Sequence, residues 1–320
     1  MIFFVISGFV IGYVVFERRE SRDDYIVARI VRIASVAVPA LVATLLLDQF
    51  GQALRPGAYA ATWGFSDQSL WRQYLGGALF LNQLWYSDVP VGSNLPYWSL
   101  NFEVWYYVLF GIAAFATGTM RVLLLATAVL ICGPTIMVLF PVWLIGLLAH
   151  RVCVSGRVGH RAGLALFLGS AALLVAYLGS RAAGLATLPQ GPAMLNRPEI
   201  LHEYLVAALF AVNLVGCAAA APSLGRLLLP VARPIRWAAG ATFTIYLFHL
   251  PLAQFMTTIL PWPPESLLNR VVMLGSLLVL LYGIAAVTER RKDVWKPAAQ
   301  MLLRLARTAM PGHRHLGSKA

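Results

Sequence analysis

Residues 30–47 read IVRIASVAVPALVATLLL, a run of eighteen residues in which Arg32 is the one charged side chain. A run of this length and composition is typical of a helix that crosses a bilayer, which needs about twenty apolar residues. The whole chain is similar: 59% of its 320 residues are hydrophobic, 12% are charged, and the mean hydropathy is +0.73. One soluble core cannot hide that much apolar surface, so soluble enzymes, secreted disulfide scaffolds and disordered regulators are excluded. The sequence predicts an all-α, polytopic helix bundle in a membrane.

Apolar runs of this kind recur along the chain and predict about 8–10 transmembrane helices. The run at 74–86 is short for a crossing. Residues 121–150 form either one long span broken by Pro134 and Pro141 or a tight helical hairpin. If 74–86 does not cross, 121–150 must cross twice, and if it does, 121–150 crosses once. The candidate spans are 2–16, 30–47, 74–86, 97–116, 121–139, 141–150, 162–180, 203–221, 238–260 and 268–288.

The basic residues predict the orientation. Nineteen or twenty of the 25 Lys and Arg residues, depending on Arg121, fall on one side of the membrane. This bias predicts a cytoplasmic C-terminus and a cytoplasmic loop at 17–29. The same bias accounts for the net charge of +12, so the charge does not indicate nucleic-acid binding, and no nucleic-acid-binding motif accompanies these residues. In this topology Met1 lies at the outer face without a signal peptide, so we expect that a first helix is missing from the sequence.

The C-terminal residues differ in composition from the rest. We expect a transmembrane domain over 1–290 and a basic cytoplasmic tail over 291–320. Within the tail, residues 295–309 are either an amphipathic interfacial helix or a frayed segment. His313 and His315 lie beyond them, and because nothing nearby completes a site, we expect no bound metal. The three cysteines are expected to be small core residues rather than disulfides or metal ligands: Cys132, Cys153 and Cys217.

Ionisable groups inside spans are costly, so each is a functional hypothesis. Glu103 is the one acidic residue well inside a span, and helical spacing places Ser99 and Tyr106 on its face. The alternative is a buried carboxylate that only ties helices together.

His249 is the one histidine that we assign to the interior of a span. Thr242 and Tyr246 precede it at helical spacing, and Pro251 should bend the helix nearby. A lone histidine in a span is often only a hydrogen-bonding packing residue, so both alternatives stay open.

Two motifs concern helix ends and contacts. Arg29 and Arg32, with Ser35 one turn on, stand where a span begins on the cytoplasmic side. They are either a topology signal or a pair of forked donors for phosphate oxygens, such as those of coenzyme A. Gly8 and Gly12 form a GxxxG pattern, which is usually a close-packing face for another helix.

Four segments, in this order, resemble the membrane-bound acyltransferase 3 family, bacterial polytopic enzymes that O-acylate surface glycans. The resemblance runs from residue 3 to about residue 290, and four motifs in sequence are specific. One departure is that Val104 follows Glu103, where the family has a second acid. Another is that no helix carrying the family's arginine and catalytic histidine precedes FFVISGF. The segments are FFVISGFVI at 3–11, RIVRI at 29–33, NLPYWSLNFEVWYY at 94–107 and TFTIYLFHLPL at 242–252.

The resemblance implies an O-acyltransferase in the bacterial cytoplasmic membrane. It would move an acyl group, acetyl by default, from the co-substrate acyl-CoA to a hydroxyl of a glycan or other small acceptor, with no metal and no permanently bound cofactor. The alternatives are a transporter or flippase and an inactive paralogue. The expected roles are catalytic for Glu103, His249 and Tyr246, coenzyme A binding for Arg29 and Arg32, and substrate binding for Ser99 and Trp98.

Overall fold

The chain folds into helices joined by turns, and the computed structural model describes residues 1–60, 68–192, 195 and 197–309. Helix accounts for 81% of the residues that the structure describes, and no strand is present among them. The predicted all-α fold is confirmed. The helices are α1 (Ile2–Gly12), α2 (Arg22–Leu54), α3 (Pro56–Ala60), α4 (Leu70–Ala78), α5 (Trp98–Phe115), α6 (Gly118–Val154), α7 (His160–Ala182), α8 (Ile200–Ala219), α9 (Ala221–Leu228), α10 (Ala232–Ala239), α11 (Thr242–Ile259), α12 (Leu267–Val287) and α13 (Lys296–Ala309).

Five helical stretches of the described chain are long and apolar enough to cross a membrane: α2, α6, α7, α8 and Leu267–Thr308, which begins with α12. The apolar helix Ile2–Glu17 is shorter; it consists of α1 and a π-helical turn at Tyr13–Glu17. Helices suit this environment because they satisfy their own backbone hydrogen bonds where water is absent. The prediction of a multi-pass membrane bundle is therefore confirmed.

The candidate span at 74–86 does not form a crossing helix. Only residues 74–78 of it are helical, as the end of α4, which is nine residues long and covers about 14 Å, half of the hydrocarbon thickness. The chain then continues in turns from Leu79 to Asn94. Gly76 and Gly77 weaken the helix, and the polar residues that follow favour turns.

The candidate spans at 121–139 and 141–150 both fall within α6, in which two helical segments meet across a kink at Gly133. Gly133 has φ 71° and ψ 179°, outside the helical region, and Pro134 follows it. The helix continues through Pro141 without a second break. The backbone N–H of Trp85 donates to the carbonyl of Cys132 at 3.0 Å, which supplies a partner at the break.

The chain divides into two compact units. The first contains Met1–Glu20, Leu79–Val89 and Trp98–Trp237. Here α1 packs closely on α6: a Cβ atom at Gly8 would lie 2.1 Å from the carbonyl oxygen of Trp143, and one at Gly12 would lie 2.9 Å from the imidazole of His150. The GxxxG prediction of a close-packing face is confirmed.

The second unit contains Ser21–Ala78, Pro90–Tyr97 and Ala238–Ala320. Ser21 caps α2 by accepting the backbone N–H of Asp24 at 3.2 Å. Ala299 of α13 packs against Val27 and Val31 of α2. Of the two alternatives for residues 295–309, an ordered helix is therefore the one that forms over Lys296–Ala309.

The histidine pair His313 and His315 lies outside the described residues. The three cysteines are free thiols, and Cys132 is buried. The described residues contain no group of three or more His, Cys, Asp or Glu side chains that could hold a metal ion.

Candidate active site

Glu103 stands in the first unit, on α5, and its side chain has 0% exposure. The hydroxyl of Ser7 donates to its Oε1 atom at 3.0 Å, and the hydroxyl of Tyr107 donates to the same oxygen. The indole N–H of Trp143 donates to Ser7 Oγ at 3.2 Å. Side chains from α1, α5 and α6 thus hold one carboxylate in a hydrogen-bonded network. Such donors stabilise a charge that burial alone would disfavour.

The partners of Glu103 differ in part from those that helical spacing indicates. Tyr106 shares a face with Glu103, but its hydroxyl donates to the carbonyl of Ile136 at 3.0 Å. Tyr107, four residues after Glu103, makes the contact instead. Ser99 is buried one turn before Glu103 on the same helix. Sequence reasoning missed Ser7 and Tyr107, although the i, i+4 spacing of Glu103 and Tyr107 was a usable signal.

Trp98, at the start of α5, lies in an aromatic cluster of the first unit. Its ring packs edge-on against Phe4 and Phe102, with centroid distances of 6.1 and 5.2 Å. The guanidinium carbon of Arg197 lies 3.9 Å from the centroid of Trp98 and 4.9 Å from that of Phe102. A desolvated cation over an aromatic face is stabilised electrostatically. The cluster fixes the orientation of Trp98 at the end of the helix that carries Glu103.

Arg29 and Arg32 are half-buried in the first turns of α2, in the second unit. The guanidinium carbon of Arg29 lies 5.5 Å from the centroid of Tyr25, and that of Arg32 lies 5.8 Å from the centroid of Phe243 on α11. The hydroxyl of Ser35 donates to the carbonyl of Arg32 at 3.3 Å. The guanidinium group of Arg32 therefore stands close to the beginning of α11, and Arg29 precedes it by about one turn of α2.

His249 and Tyr246 lie on α11, within the same unit as the arginine pair. The Nδ1 atom of His249 lies 2.9 Å from the carbonyl oxygen of Tyr246 and 3.1 Å from that of Ile245. Because a carbonyl only accepts, we assign the proton to Nδ1, which leaves Nε2 as an acceptor in the neutral ring. The two rings are 6.4 Å apart between centroids. Pro251 lies inside α11 without ending it.

Other histidines of the described chain also lie in helices, but near helix ends. His150 of α6 is 3% exposed, and its ring packs edge-on against Phe9 with a centroid distance of 5.4 Å. His202 lies in α8, with its Nδ1 atom 3.1 Å from the hydroxyl of Tyr177. His150 lies four residues before the end of α6 and His202 two residues after the start of α8, close to the span ends at which the sequence places them.

A buried polar cluster near the C-terminal end of α2 was also missed. Asp48 is 2% exposed, and Ser93 donates to it from its backbone N–H at 2.8 Å and from its hydroxyl at 2.6 Å. The side-chain amide of Asn94 donates to Thr44 Oγ1 at 3.1 Å. Burial raises the pKa of Tyr74 above its ordinary value, and the charge of Asp48 raises it further. Asp48 was passed over because it follows the apolar run 30–47 like an ordinary boundary residue.

The predicted site residues thus form two groups. Glu103, Ser99 and Trp98 lie in the first unit, and Arg29, Arg32, Tyr246 and His249 lie in the second.

A model for an acyltransferase domain, that of the acyltransferase 3 family, matches residues 1–289. The chain belongs to the membrane-bound acyltransferase 3 family. No curated protein and no solved structure matches it. As a member of the acyltransferase 3 family with several apolar helices, it is a membrane acyltransferase. The matched region contains all seven predicted site residues and ends before α13.

Proposed function

We propose that this membrane acyltransferase moves an acyl group, acetyl by default, from acyl-CoA to a hydroxyl of a glycan or another small acceptor. The observation that carries the proposal lies within the second unit. There the arginine pair of α2 adjoins α11, which carries His249. Phe243, which Arg32 contacts, precedes His249 by a rise of about 9 Å along α11. The proposed phosphate-binding arginines thus lie on a helix that packs next to the helix carrying the imidazole of His249.

The role of Arg29 and Arg32 in this proposal is to hold the coenzyme A headgroup. Guanidinium groups stay charged at all relevant pH values, and their forked donors match phosphate oxygens. Tyr25 and Phe243 limit the motion of the two side chains, so less entropy is lost when a ligand is bound. A topology signal alone needs charge but no such support.

The role of His249 is to act on the acceptor hydroxyl. The acceptor oxygen bonds to the acyl carbon, the carbon–sulfur bond of the thioester breaks, and coenzyme A leaves with its sulfur reprotonated. The Nδ1 contact leaves Nε2 able to take the hydroxyl proton, which favours this role over donation to the acyl carbonyl. Tyr246 is the proposed donor to that carbonyl.

In the first unit, Glu103 is proposed as a catalytic carboxylate that stabilises positive charge, and Ser99 and Trp98 as substrate contacts. What supports these roles is the 0% exposure of Glu103 and the fixed setting of Trp98 on the same helix. A charge is retained at such depth only where it is compensated, and charges in membrane spans usually serve function.

The test is to incubate membranes that contain the full chain with acetyl-CoA labelled in the acetyl group. Transfer of label to a glycan or small hydroxyl acceptor is the expected result. Membranes with His249→Ala protein at the same level are the control and should lose transfer by about 100-fold or more. Movement of an unacylated substrate across the membrane without transfer would indicate a transporter. Binding without transfer or transport would indicate an inactive paralogue.

A further inference from the structure

The second unit contains a cavity of about 200 Å³ beside the C-terminal end of α2, here called the polar cavity. This volume equals that of roughly seven water molecules, which suits a ligand the size of one sugar ring. Four of its lining side chains, one carboxylate and three amides, belong to α2 and α4. The lining residues that matter here are Asp48, Gln49, Gln52, Gln73, Tyr74 and Gly92.

The inner wall of the polar cavity is held in place by the turn that contains Gly92. The backbone N–H of Gly92 donates to Oε1 of Gln73 at 2.9 Å, and Nε2 of Gln73 donates to the carbonyl of Gln68 at 2.6 Å. Ser93 donates to both oxygens of Asp48. These bonds fix the orientation of a carboxylate and an amide before any ligand arrives, which lowers the entropic cost of binding.

Gly92 itself is required for this arrangement. Its φ is +50°, which L side chains rarely adopt, and a Cβ atom there would lie 2.1 Å from Oδ2 of Asp48 and 2.8 Å from the hydroxyl of Tyr74. The close approach brings the turn, the carboxylate and the phenol to one wall.

The chemistry of the lining indicates the class of ligand. None of the described residues that line the cavity is Arg, Lys or His, so an anion would have no counter-charge. Amides both donate and accept, the carboxylate accepts, and the phenol of Tyr74 stays protonated and offers an apolar ring face. Such a set matches a neutral compound with several hydroxyl groups better than an ion or an apolar group.

The position of the cavity along α2 agrees with this assignment. Asp48 follows Arg32 by sixteen residues, a rise of about 24 Å, which is close to the hydrocarbon thickness. Gln49 is exposed, so the cavity is reached from the surface. The arginine pair and the polar cavity therefore lie near opposite ends of one span.

We propose that the polar cavity is a subsite for one uncharged sugar ring of the acceptor, held by Asp48, Gln49, Gln52 and Gln73. The inference rests on the proposed acyl transfer and adds the place and the chemical class of the acceptor. Because the site is built for hydroxyl groups, an acceptor that lacks one of them leaves polar groups unpaired and should bind much more weakly.

The experiment uses the full chain in lipid nanodiscs, so that no sugar-headed detergent competes. Saturation-transfer NMR is recorded with the methyl glycosides of glucose, galactose, mannose and N-acetylglucosamine, and with the methyl glycoside of glucuronic acid, whose carboxylate is free, as the anionic comparison. At least one neutral glycoside should bind, more tightly than the glucuronate. The double variant Gln49→Ala/Gln52→Ala should weaken that binding at least tenfold, whereas Gln300→Ala, on the exposed face of α13, should leave it unchanged.

Failure of the cavity assignment and failure of the proposed function give different results. If no neutral glycoside binds, or if the double variant binds as well as the wild type, the lining is only a structural network and the assignment is overturned. Acetyl-CoA binding is measured in the same nanodiscs. If the wild type binds glycosides but no acetyl-CoA, the acyl transfer is overturned, and with it the role of the cavity as an acceptor subsite.

Discussion

Glu103 accepts hydrogen bonds from two hydroxyl groups inside a helix bundle. A substitution that keeps these hydrogen bonds but removes the charge therefore tests whether the charge is needed for acyl transfer. Glu103→Gln keeps the shape and one oxygen acceptor but removes the charge. We expect acyl transfer to fall by about 100-fold or more with little change in the thermal midpoint of unfolding. Transfer of labelled acetyl groups and thermal unfolding in detergent measure the two effects.

The control for this substitution is Glu265→Gln, which changes an exposed acid outside the described helices. It should leave both quantities unchanged. Full transfer activity in the Glu103→Gln protein would make the carboxylate a structural group that ties α1, α5 and α6 together.

The substitution Arg29→Ala tests the binding of the acyl donor, acetyl-CoA. A charge-assisted hydrogen bond to phosphate contributes about 1.5–3 kcal/mol, so acetyl-CoA should bind roughly tenfold to 100-fold more weakly. The measurement is equilibrium binding of acetyl-CoA to purified protein, compared at equal amounts of folded chain. Arg304→Ala on α13 removes an exposed cation and should bind like the wild type. Equal affinity of the Arg29→Ala protein would leave the arginine with its topological role only.

At the scale of elements, the contact between α1 and α6 depends on glycines. A Cβ atom at Gly8 would lie 2.1 Å from the carbonyl oxygen of Trp143, which is backbone and cannot move aside. Gly8→Ala should therefore lower the free energy of unfolding by about 1–3 kcal/mol. Gly169→Ala on α7, where a Cβ atom would meet nothing, should be neutral or stabilising by up to about 1 kcal/mol.

Unfolding titrations of the two glycine variants, run side by side in the same detergent, measure this difference. Equal stability of the Gly8→Ala and Gly169→Ala proteins would contradict the close contact of α1 with α6.

The position of α13 on α2 depends on a small apolar contact. Ala299 is buried against Val27 and Val31, whereas the ion pair between Arg307 and Asp23 is solvent-exposed and contributes little. Ala299→Asp should release α13 and speed tryptic cleavage at Arg304 several-fold. Limited proteolysis followed by mass spectrometry measures the rate, with Gln300→Asp as the control on the exposed face. Equal cleavage of both variants would show that α13 is held by other contacts.

The sequence allowed some elements of the site to be predicted because their chemistry conflicts with lipid. Glu103 and His249 are conspicuous in apolar runs, and the GxxxG pattern correctly indicated a close contact. Ser7 could not be predicted as a partner of Glu103, since it reaches the carboxylate from a distant segment of the chain, as Trp143 reaches Ser7. The polar cavity was missed for another reason. It depends on the turn at Gly92–Ser93, and the need for a left-handed glycine there can be recognised only from the packing of the turn against Asp48.

For the whole molecule, the distribution of basic residues predicts the topology. With nineteen or twenty of the 25 Lys and Arg residues on one side, the C-terminus should be cytoplasmic. A fluorescent protein fused after Ala320 should fluoresce in bacterial cells, and alkaline phosphatase at the same place should be inactive. Fusions after Gln190, in the segment between α7 and α8, should give the reverse pattern. Active phosphatase after Ala320 would contradict the predicted cytoplasmic C-terminus.

The break in α6 has a consequence for how this protein can change over evolution. Gly133 turns the chain out of the helix, and the N–H of Trp85 serves the carbonyl of Cys132 there. A side chain at position 133 would collide with Trp85, and deleting the Trp85 turn would leave the buried carbonyl of Cys132 without this donor, at a cost of about 1–3 kcal/mol. Each change alone is harmful, so related chains should either retain both features or have lost both together.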